Sequence, residues 1–200
     1  MRFITTCSVP LVIVVVADLQ ADSTTVDSIT KIIENAIWQT SVTTIYDPAY
    51  VSINYPDGDL PIERGVCCDV IIRGFRSAGI DLQKEIHEDM QKAFSAYPQK
   101  WGLHTTDTNI DHRRVPNIMT FLDRRNKAVP VTQQEKDYKP GDIVTWKLPG
   151  NIDHIGVVVN IPVDNTGRYK VVHNIGAGAK LEDILFEFEI TGHYRYFDNR

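Results

Sequence analysis

The chain has 200 residues, of which 42% are hydrophobic and 24% are charged, and its formal net charge is −5. This length and composition indicate one folded domain with a substantial core and exclude an intrinsically disordered chain. The negative charge argues against a nucleic acid as partner, because nucleic-acid-binding proteins need a basic footprint.

The first residues have the pattern of a secretory signal peptide. Arg2 precedes a short apolar run at 11–17, and small and polar residues follow as far as Ala21. An ordinary buried strand is the alternative interpretation, and the run is too short to span a bilayer as a helix. We therefore predict a signal peptide at 1–21, one domain over 22–200, no transmembrane segment, and an exported protein that is periplasmic or extracellular.

The cysteine content points to chemistry rather than to structural cross-links. The chain has three cysteines, and removal of the signal peptide would take away Cys7 and leave Cys67 and Cys68. Adjacent cysteines rarely form a relaxed disulfide, because the loop between them is too tight. In an exported protein without a disulfide framework, the cysteines do not serve as structural cross-links. We therefore expect one of them to be chemically active.

Apolar periodicity predicts helices in the first part of the chain. Five aliphatic residues form one helical stripe over 28–39, and further helices are predicted at 67–78, at 82–97 and from Pro116 onward. The stretch between Tyr46 and Gly65 is rich in turn formers and tyrosines, which predicts a long loop.

The last third of the chain changes to strand-like patterns. The predicted strands are 143–146, 155–159, 169–173, 184–190 and 193–197. Helices followed by antiparallel strands are typical of an α+β fold.

Two histidines fall on strands that a hairpin would pair. His154 and His173 flank the turn formers at 162–167. Since both are nearly equidistant from this turn, their side chains face each other or lie as diagonal neighbours on one face of the sheet. A slip of one residue would put them on opposite faces.

Cys67 begins the predicted second helix, where the helix dipole and the free backbone N–H groups favour a thiolate. If the face that carries Cys67 packs on the sheet, the thiol meets both histidines. Cys67 is then a nucleophile, His154 its base and acid, and His173 the residue that orients His154. The alternative is that each residue is an ordinary buried or surface side chain.

Five segments of this sequence resemble the bacterial "domain of unknown function 1287" family. The resemblance covers about 29–197. The segments that carry it are RGVCCDVIIR at 64–73, NIDHRRVPN at 109–117, PGDIV at 140–144, HIGVV at 154–158 and HNIGAG at 173–178.

A more distant resemblance is to the NlpC-like cell-wall peptidases of the papain-like superfamily. Those enzymes have a Cys at a helix start, a Gly-Asp-hydrophobic-Val strand, a His-hydrophobic-Gly strand and a polar residue on a third strand. The matching positions here are Cys67, 141–144, 154–156 and His173. The resemblance implies a papain-like fold with N-terminal helices packed on a C-terminal antiparallel sheet, and a partner that is peptidoglycan or its peptide fragments.

This chain departs from the NlpC-like pattern around the nucleophile. Val66 stands where those enzymes usually carry Asp, and Cys68 and Asp69 stand where they tend to carry Ser and Gly. The resemblance favours Cys67 over Cys68 as nucleophile. Cys68 is left with two opposite interpretations, protection or oxidative inactivation of its neighbour.

Five further residues are candidates for substrate binding. Tyr46 and Tyr55 lie in the loop before the predicted nucleophile, where a phenol can position substrate or donate to an oxyanion, or simply pack in a turn. Arg113 and Arg114 suit a substrate carboxylate, with a salt-bridged or solvated face as the alternative. Asn174 directly follows His173.

The sequence predicts neither a cofactor nor a metal site. Cys67, Cys68, His154 and His173 are acceptable zinc ligands, but adjacent cysteines do not readily share one tetrahedral ion. The rival functions are a non-catalytic wall-binding or envelope-assembly protein on a hydrolase-like scaffold, and a toxin with an immunity partner. The protein partner and the bond cleaved stay open.

Overall fold

Helices fill the first part of the described chain and strands fill the last part. The computed structural model describes residues 23–197, and the predicted signal peptide at 1–21 lies outside them. In this range the helices are α1 (Ser23–Val42), α2 (Cys67–Ser77), α3 (Leu82–Ala93) and α4 (Val115–Arg124), with short 3-10 helices at Phe94–Ala96, Asp111–Arg113 and Glu135–Asp137. None of the helices described over 23–197 has the length and apolar character needed to cross a membrane.

The strands form a small parallel pair and a larger antiparallel sheet. The strands described are β1 (Ile45–Tyr46), β2 (Arg64–Gly65), β3 (Ile143–Leu148), β4 (Ile152–Pro162), β5 (Tyr169–His173), β6 (Lys180–Glu182) and β7 (Glu189–Tyr194). β1 pairs with β2, and the other strands form one antiparallel sheet in the order β6-β5-β4-β3-β7. The predicted α+β class is confirmed.

Both faces of the large sheet are covered. On one face α1 and α2 pack on each other and on β4, so that Phe75, Ile155 and Val157 share one apolar core. On the other face Trp146 and Leu185 belong to a second buried cluster. Because successive residues of a strand point to opposite faces, burial of both faces explains the unbroken apolar run of β4.

Two predicted strands are misplaced: 193–197 is a strand only at its first two residues, which end β7, and most of 184–190 is not a strand. The alternating pattern at 184–190 indicated a strand, but the chain turns there and the neighbouring strands are β6 at Lys180–Glu182 and β7 at Glu189–Tyr194. Leu185 is buried in this turn, and its carbonyl accepts a hydrogen bond from Trp146 Nε1 at 3.0 Å. The apolar residues of the segment therefore cover the second face of the sheet instead of extending its edge.

Helix α2 begins at Cys67, as predicted, although it lacks an ordinary polar N-cap. Val66 occupies the cap position with extended backbone. The Asp69 carboxylate accepts a hydrogen bond from the Val66 N–H at 2.6 Å, and its charge also suits the positive end of the helix. A Cβ atom at Gly74 would lie 3.3 Å from Ile32 Cγ2, so glycine there allows α1 and α2 to approach closely.

Candidate active site

The start of α2 lies next to a series of hydrogen-bonded side chains on the sheet. The side chain of His154 and the backbone N–H of Ile155 both lower the pKa of the Cys67 thiol. His154 Nε2 lies 3.1 Å from His173 Nδ1, and His173 Nε2 lies 2.9 Å from Glu182 Oε2. The structure thus brings together the three predicted catalytic residues and adds Glu182 to them.

The β4–β5 hairpin places the two histidines as diagonal neighbours. His173 is paired with Gly156, two residues beyond His154 on β4. Directly opposed histidines, the first form of the prediction, do not occur, but the diagonal form is confirmed. Their rings meet edge to face, with an interplanar angle of 85°.

Cys67 reaches the histidines past the end of β5. The expectation that the thiol meets them across the helix-facing side of the sheet is corrected, because His154 is paired with Trp146, whose side chain lies in the cluster on the opposite face. β5 ends opposite Gly156, so β4 has no β5 neighbour at Ile155. The Ile155 N–H donates to the thiol in that gap.

The pKa values of the two cysteines are shifted in opposite directions. A hydrogen bond from Cys68 lowers the pKa of Cys67, and the hydrogen bond and charge of His154 lower it further, against burial, which raises it. Burial raises the pKa of Cys68 well above its ordinary value. These shifts favour the thiolate form at Cys67 and the thiol form at Cys68. This arrangement agrees with the choice of Cys67 as nucleophile.

His173 is held neutral in its buried position. Burial lowers the pKa of His173, and the charge of His154 lowers it further. Its side chain is 1% exposed, whereas that of Glu182 is 49% exposed. Glu182 is thus the partly solvent-exposed member of a series of side chains whose other members are buried.

A surface groove of ≈ 230 Å³ gives access to the cysteine. Cys67 itself is only 7% exposed, so the thiol is reached from the floor of the groove. The walls come from β1, the segment before α4, the start of α4 and the start of β4. The lining includes Tyr46, Cys67, Trp101, Arg114, Pro116 and Asp153.

Three of the predicted substrate-binding residues line this groove, and two of them, Tyr46 and Arg114, are free to contact a ligand. Burial raises the pKa of Tyr46, and the charge of Cys67 raises it further, so the phenol keeps its proton and can donate it in a hydrogen bond. The Arg114 guanidinium stacks over Trp101 at 4.1 Å from the ring centroid and lies 3.5 Å from Asp111. Both side chains are positioned to contact a ligand in the groove.

The other three candidates make internal contacts. Arg113 also borders the groove, but its guanidinium forms a buried ion pair with Asp69 at 3.0 Å. Asn174 is fully buried and donates to the Gly65 carbonyl at 3.0 Å, which fixes the strand before α2. Tyr55 packs edge-on against a histidine of α3 and is outside the groove lining. Substrate contact by these three residues stays a prediction.

Sequence reasoning missed several members of the site. The position of Glu182 could have been predicted from the sequence, because a hairpin turn at 176–178 would pair His173 with Lys180 and place Glu182 diagonal to His173. No sequence pattern indicated Trp101 or Asp153, since neither belongs to a motif or a periodic pattern.

In the described range 23–197, no three His, Cys, Asp or Glu side chains group as they would around a metal ion.

The fold and the site define an α+β protein in which a cysteine at the floor of a groove lies next to a buried histidine pair that ends at a half-exposed glutamate. The chain belongs to the family described as "Domain of unknown function (DUF1287)", which matches residues 33–196. It is 53% identical over 166 residues to "Uncharacterized protein YijF" of Escherichia coli (strain K12), a match that covers 83% of this chain and 80% of YijF. No solved structure matches the chain.

Proposed function

We propose that this protein is a cysteine hydrolase with a papain-like fold that cleaves peptide or amide bonds. The observation that carries the proposal is that Cys67 lines an open groove and has its pKa lowered by His154, which lies 3.1 Å from His173. A nucleophile that contacts a base, which in turn contacts an orienting group, is the general pattern of nucleophilic catalysis.

The first half of the reaction acylates the cysteine. The Cys67 thiolate attacks the carbonyl carbon, and the oxyanion that forms accepts hydrogen bonds from the backbone N–H groups of Cys67 and Cys68, which open α2 and have no acceptor within the helix. Protonated His154 gives its proton to the leaving amine. The C–N bond then breaks, and the acyl group stays on the sulfur as a thioester.

The second half releases the acyl group. Neutral His154 takes a proton from a water molecule that attacks the thioester carbonyl. The C–S bond breaks, the carboxylic acid leaves, and the Cys67–His154 ion pair is restored. His173 keeps the imidazole of His154 in place in both halves.

For the substrate we propose peptidoglycan or its peptide fragments, which would make the protein an exported enzyme of the cell envelope. The support is the NlpC-like order of motifs in the sequence together with the make-up of the groove. Arg114 can bind a carboxylate, Asp153 carries the opposite charge on another wall, and Tyr46 and Trp101 offer aromatic surface. Stem peptides carry charged groups of both signs.

Digestion of purified sacculi tests this proposal. The wild-type protein should release muropeptides with new peptide ends, which mass spectrometry identifies. Cys67→Ala should lower the release by at least about 10³-fold, because the nucleophile is gone. It should also lose labelling by an electrophilic probe such as iodoacetamide. Glu189→Leu, a change on an exposed edge strand, is the control and should digest normally.

Two results would contradict the hydrolase. Continued release of fragments by Cys67→Ala would show that Cys67 is not the nucleophile. Tight binding of sacculi by the wild type, without any new fragment, would instead support the non-catalytic wall-binding alternative.

A further inference from the structure

Glu182 approaches the buried end of the histidine pair from an edge strand. It lies on β6 directly opposite Val171, two residues from His173 on β5, and residues in this diagonal relation share a face of the sheet. Its Oε2 atom lies 2.9 Å from His173 Nε2. Since the carboxylate is half exposed and the ring is buried, Glu182 is the point where the internal chain meets solvent.

The chemistry of the four groups fixes the direction of every hydrogen bond in the chain. An ionised carboxylate only accepts hydrogen bonds, so His173 must carry its proton on Nε2. Since His173 is neutral in the fold, its Nδ1 is then an acceptor. His154 must therefore present Nε2–H to it at 3.1 Å. The Nδ1 atom of His154 is left to exchange the proton with Cys67.

We propose that Glu182 is a positioning residue that selects the Nε2–H tautomer of His173 and thereby favours the Cys67 thiolate–His154 imidazolium pair. Without an acceptor at this position, His173 also adopts the Nδ1–H tautomer. That N–H then points at the Nε2–H of protonated His154, and two donors face each other. The imidazolium and the thiolate are both disfavoured as a result. The catalytic meaning of this role rests on the proposed hydrolase function.

Two substitutions of Glu182 distinguish the effect of its hydrogen-bond acceptor from the effect of its negative charge. Glu182→Gln keeps an oxygen that accepts from His173 Nε2–H, whereas Glu182→Leu removes the acceptor with little change in volume. Glu189→Leu on β7 is the matched control, since Glu189 is an exposed glutamate on the other edge strand of the same sheet. All three variants are compared with the wild type by circular dichroism before any other measurement.

The first measurement reads the tautomer of His173 by NMR of the imidazole nitrogens. The wild type, Glu182→Gln and Glu189→Leu should show Nε2–H. Glu182→Leu should show a mixture of tautomers or the Nδ1–H form. A residue with only a structural role would leave this signal unchanged. The titratable side chains that contact His173 are His154 from β4 and Glu182 from β6, with Cys67 of α2 beyond His154.

The second measurement is the rate of iodoacetamide alkylation at Cys67 as a function of pH, with the labelled site assigned by mass spectrometry. In Glu182→Leu the profile should move up by about one pH unit, which is an about tenfold lower rate on its acid side. Glu182→Gln and Glu189→Leu should follow the wild type.

Three outcomes would overturn the positioning role. They are a wild-type His173 that carries its proton on Nδ1, a Glu182→Leu protein with the wild-type tautomer and profile, and a Glu182→Gln protein that behaves like Glu182→Leu. None of these measurements needs a substrate. A wild type that fails to digest sacculi while the tautomer responds as expected therefore contradicts the hydrolase and leaves the role of Glu182 intact.

Discussion

At the scale of single residues, Arg113 and Asp69 connect the start of α2 to the long loop before it. The pair is bidentate, with Nε to Oδ1 and Nη2 to Oδ2 each at 3.0 Å. Arg113 also donates to the carbonyls of Ala49 and Asp47, each at 3.0 Å, while Asp69 accepts from Val66. One buried ion pair therefore holds both the backbone around the nucleophile and one wall of the groove.

We predict that Arg113→Met lowers the free energy of unfolding by about 3–5 kcal/mol, because it leaves the Asp69 carboxylate buried without its partner. Urea denaturation measures the loss. Arg64→Met is the matched control. Arg64 pairs with Asp47 at 3.2 Å but its side chain is 47% exposed, so its removal should cost less than about 1 kcal/mol. Equal losses in the two variants would contradict a special role for the buried pair.

At the scale of secondary-structure elements, the absence of a side chain at Gly156 allows β4 and β5 to bring the histidines together. A Cβ atom at this position would lie 2.7 Å from Val171 Cγ1 and 3.0 Å from the Val172 carbonyl oxygen. It would also lie 3.1 Å from the Cβ atom of His173, which is opposite in the register. Because these atoms belong to a strand backbone and to short side chains, none of them can move away without moving β5.

Gly156→Ala should therefore lower the free energy of unfolding by about 1–3 kcal/mol through overpacking. It should also weaken the coupling of the two histidines, which the alkylation profile of Cys67 reports. Gly167→Ala, in the turn of the same hairpin, is the control. A Cβ atom there would meet only the end of the Glu135 side chain at 3.1 Å, and this half-exposed carboxylate can shift without moving a strand. If both variants are equally stable, the packing argument fails.

Some elements were predictable from local pattern and others were not. Helix α2 was predictable, since an apolar stripe begins at Cys67, and so was the diagonal pairing of the histidines about a strong turn. The segment at 184–190 was misread as a strand because its apolar residues also alternate when they cover a sheet face from a turn. Cys67 lies close to His154 because the pairing of β4 with β5 stops at Gly156. No local sequence pattern indicates where that pairing stops.

At the scale of the whole molecule, the site lies where chain segments remote from one another meet. The groove joins Tyr46 on β1, Trp101 in an irregular segment, Arg114 before α4 and Asp153 on β4. Their convergence follows from the packing of helices and loops around the end of the sheet. Periodicity predicts the elements but not this assembly, which is why the histidine pair was predictable and most of the groove was not.

The same packing buries His112, and this makes the stability of the molecule depend on pH. His112 is 2% exposed, and burial, aided by the charges of Arg113 and Arg76, lowers its pKa to about 3. The folded protein therefore keeps His112 neutral, whereas the unfolded chain protonates it below its ordinary pKa of about 6.5. Since the unfolded state then binds more protons, the free energy of unfolding falls as the pH falls from about 6.5 toward about 3.

Comparison of His112→Gln with the wild type isolates this contribution from that of the other titrating groups. The wild type should lose about 2–3 kcal/mol more than the variant between about pH 7 and about pH 4.5, because protons bind His112 only in the unfolded chain. Urea denaturation at both pH values gives the difference. His104→Gln, at an exposed histidine, should keep the wild-type dependence. If His112→Gln loses stability with acid as steeply as the wild type does, the neutral buried state of His112 is refuted.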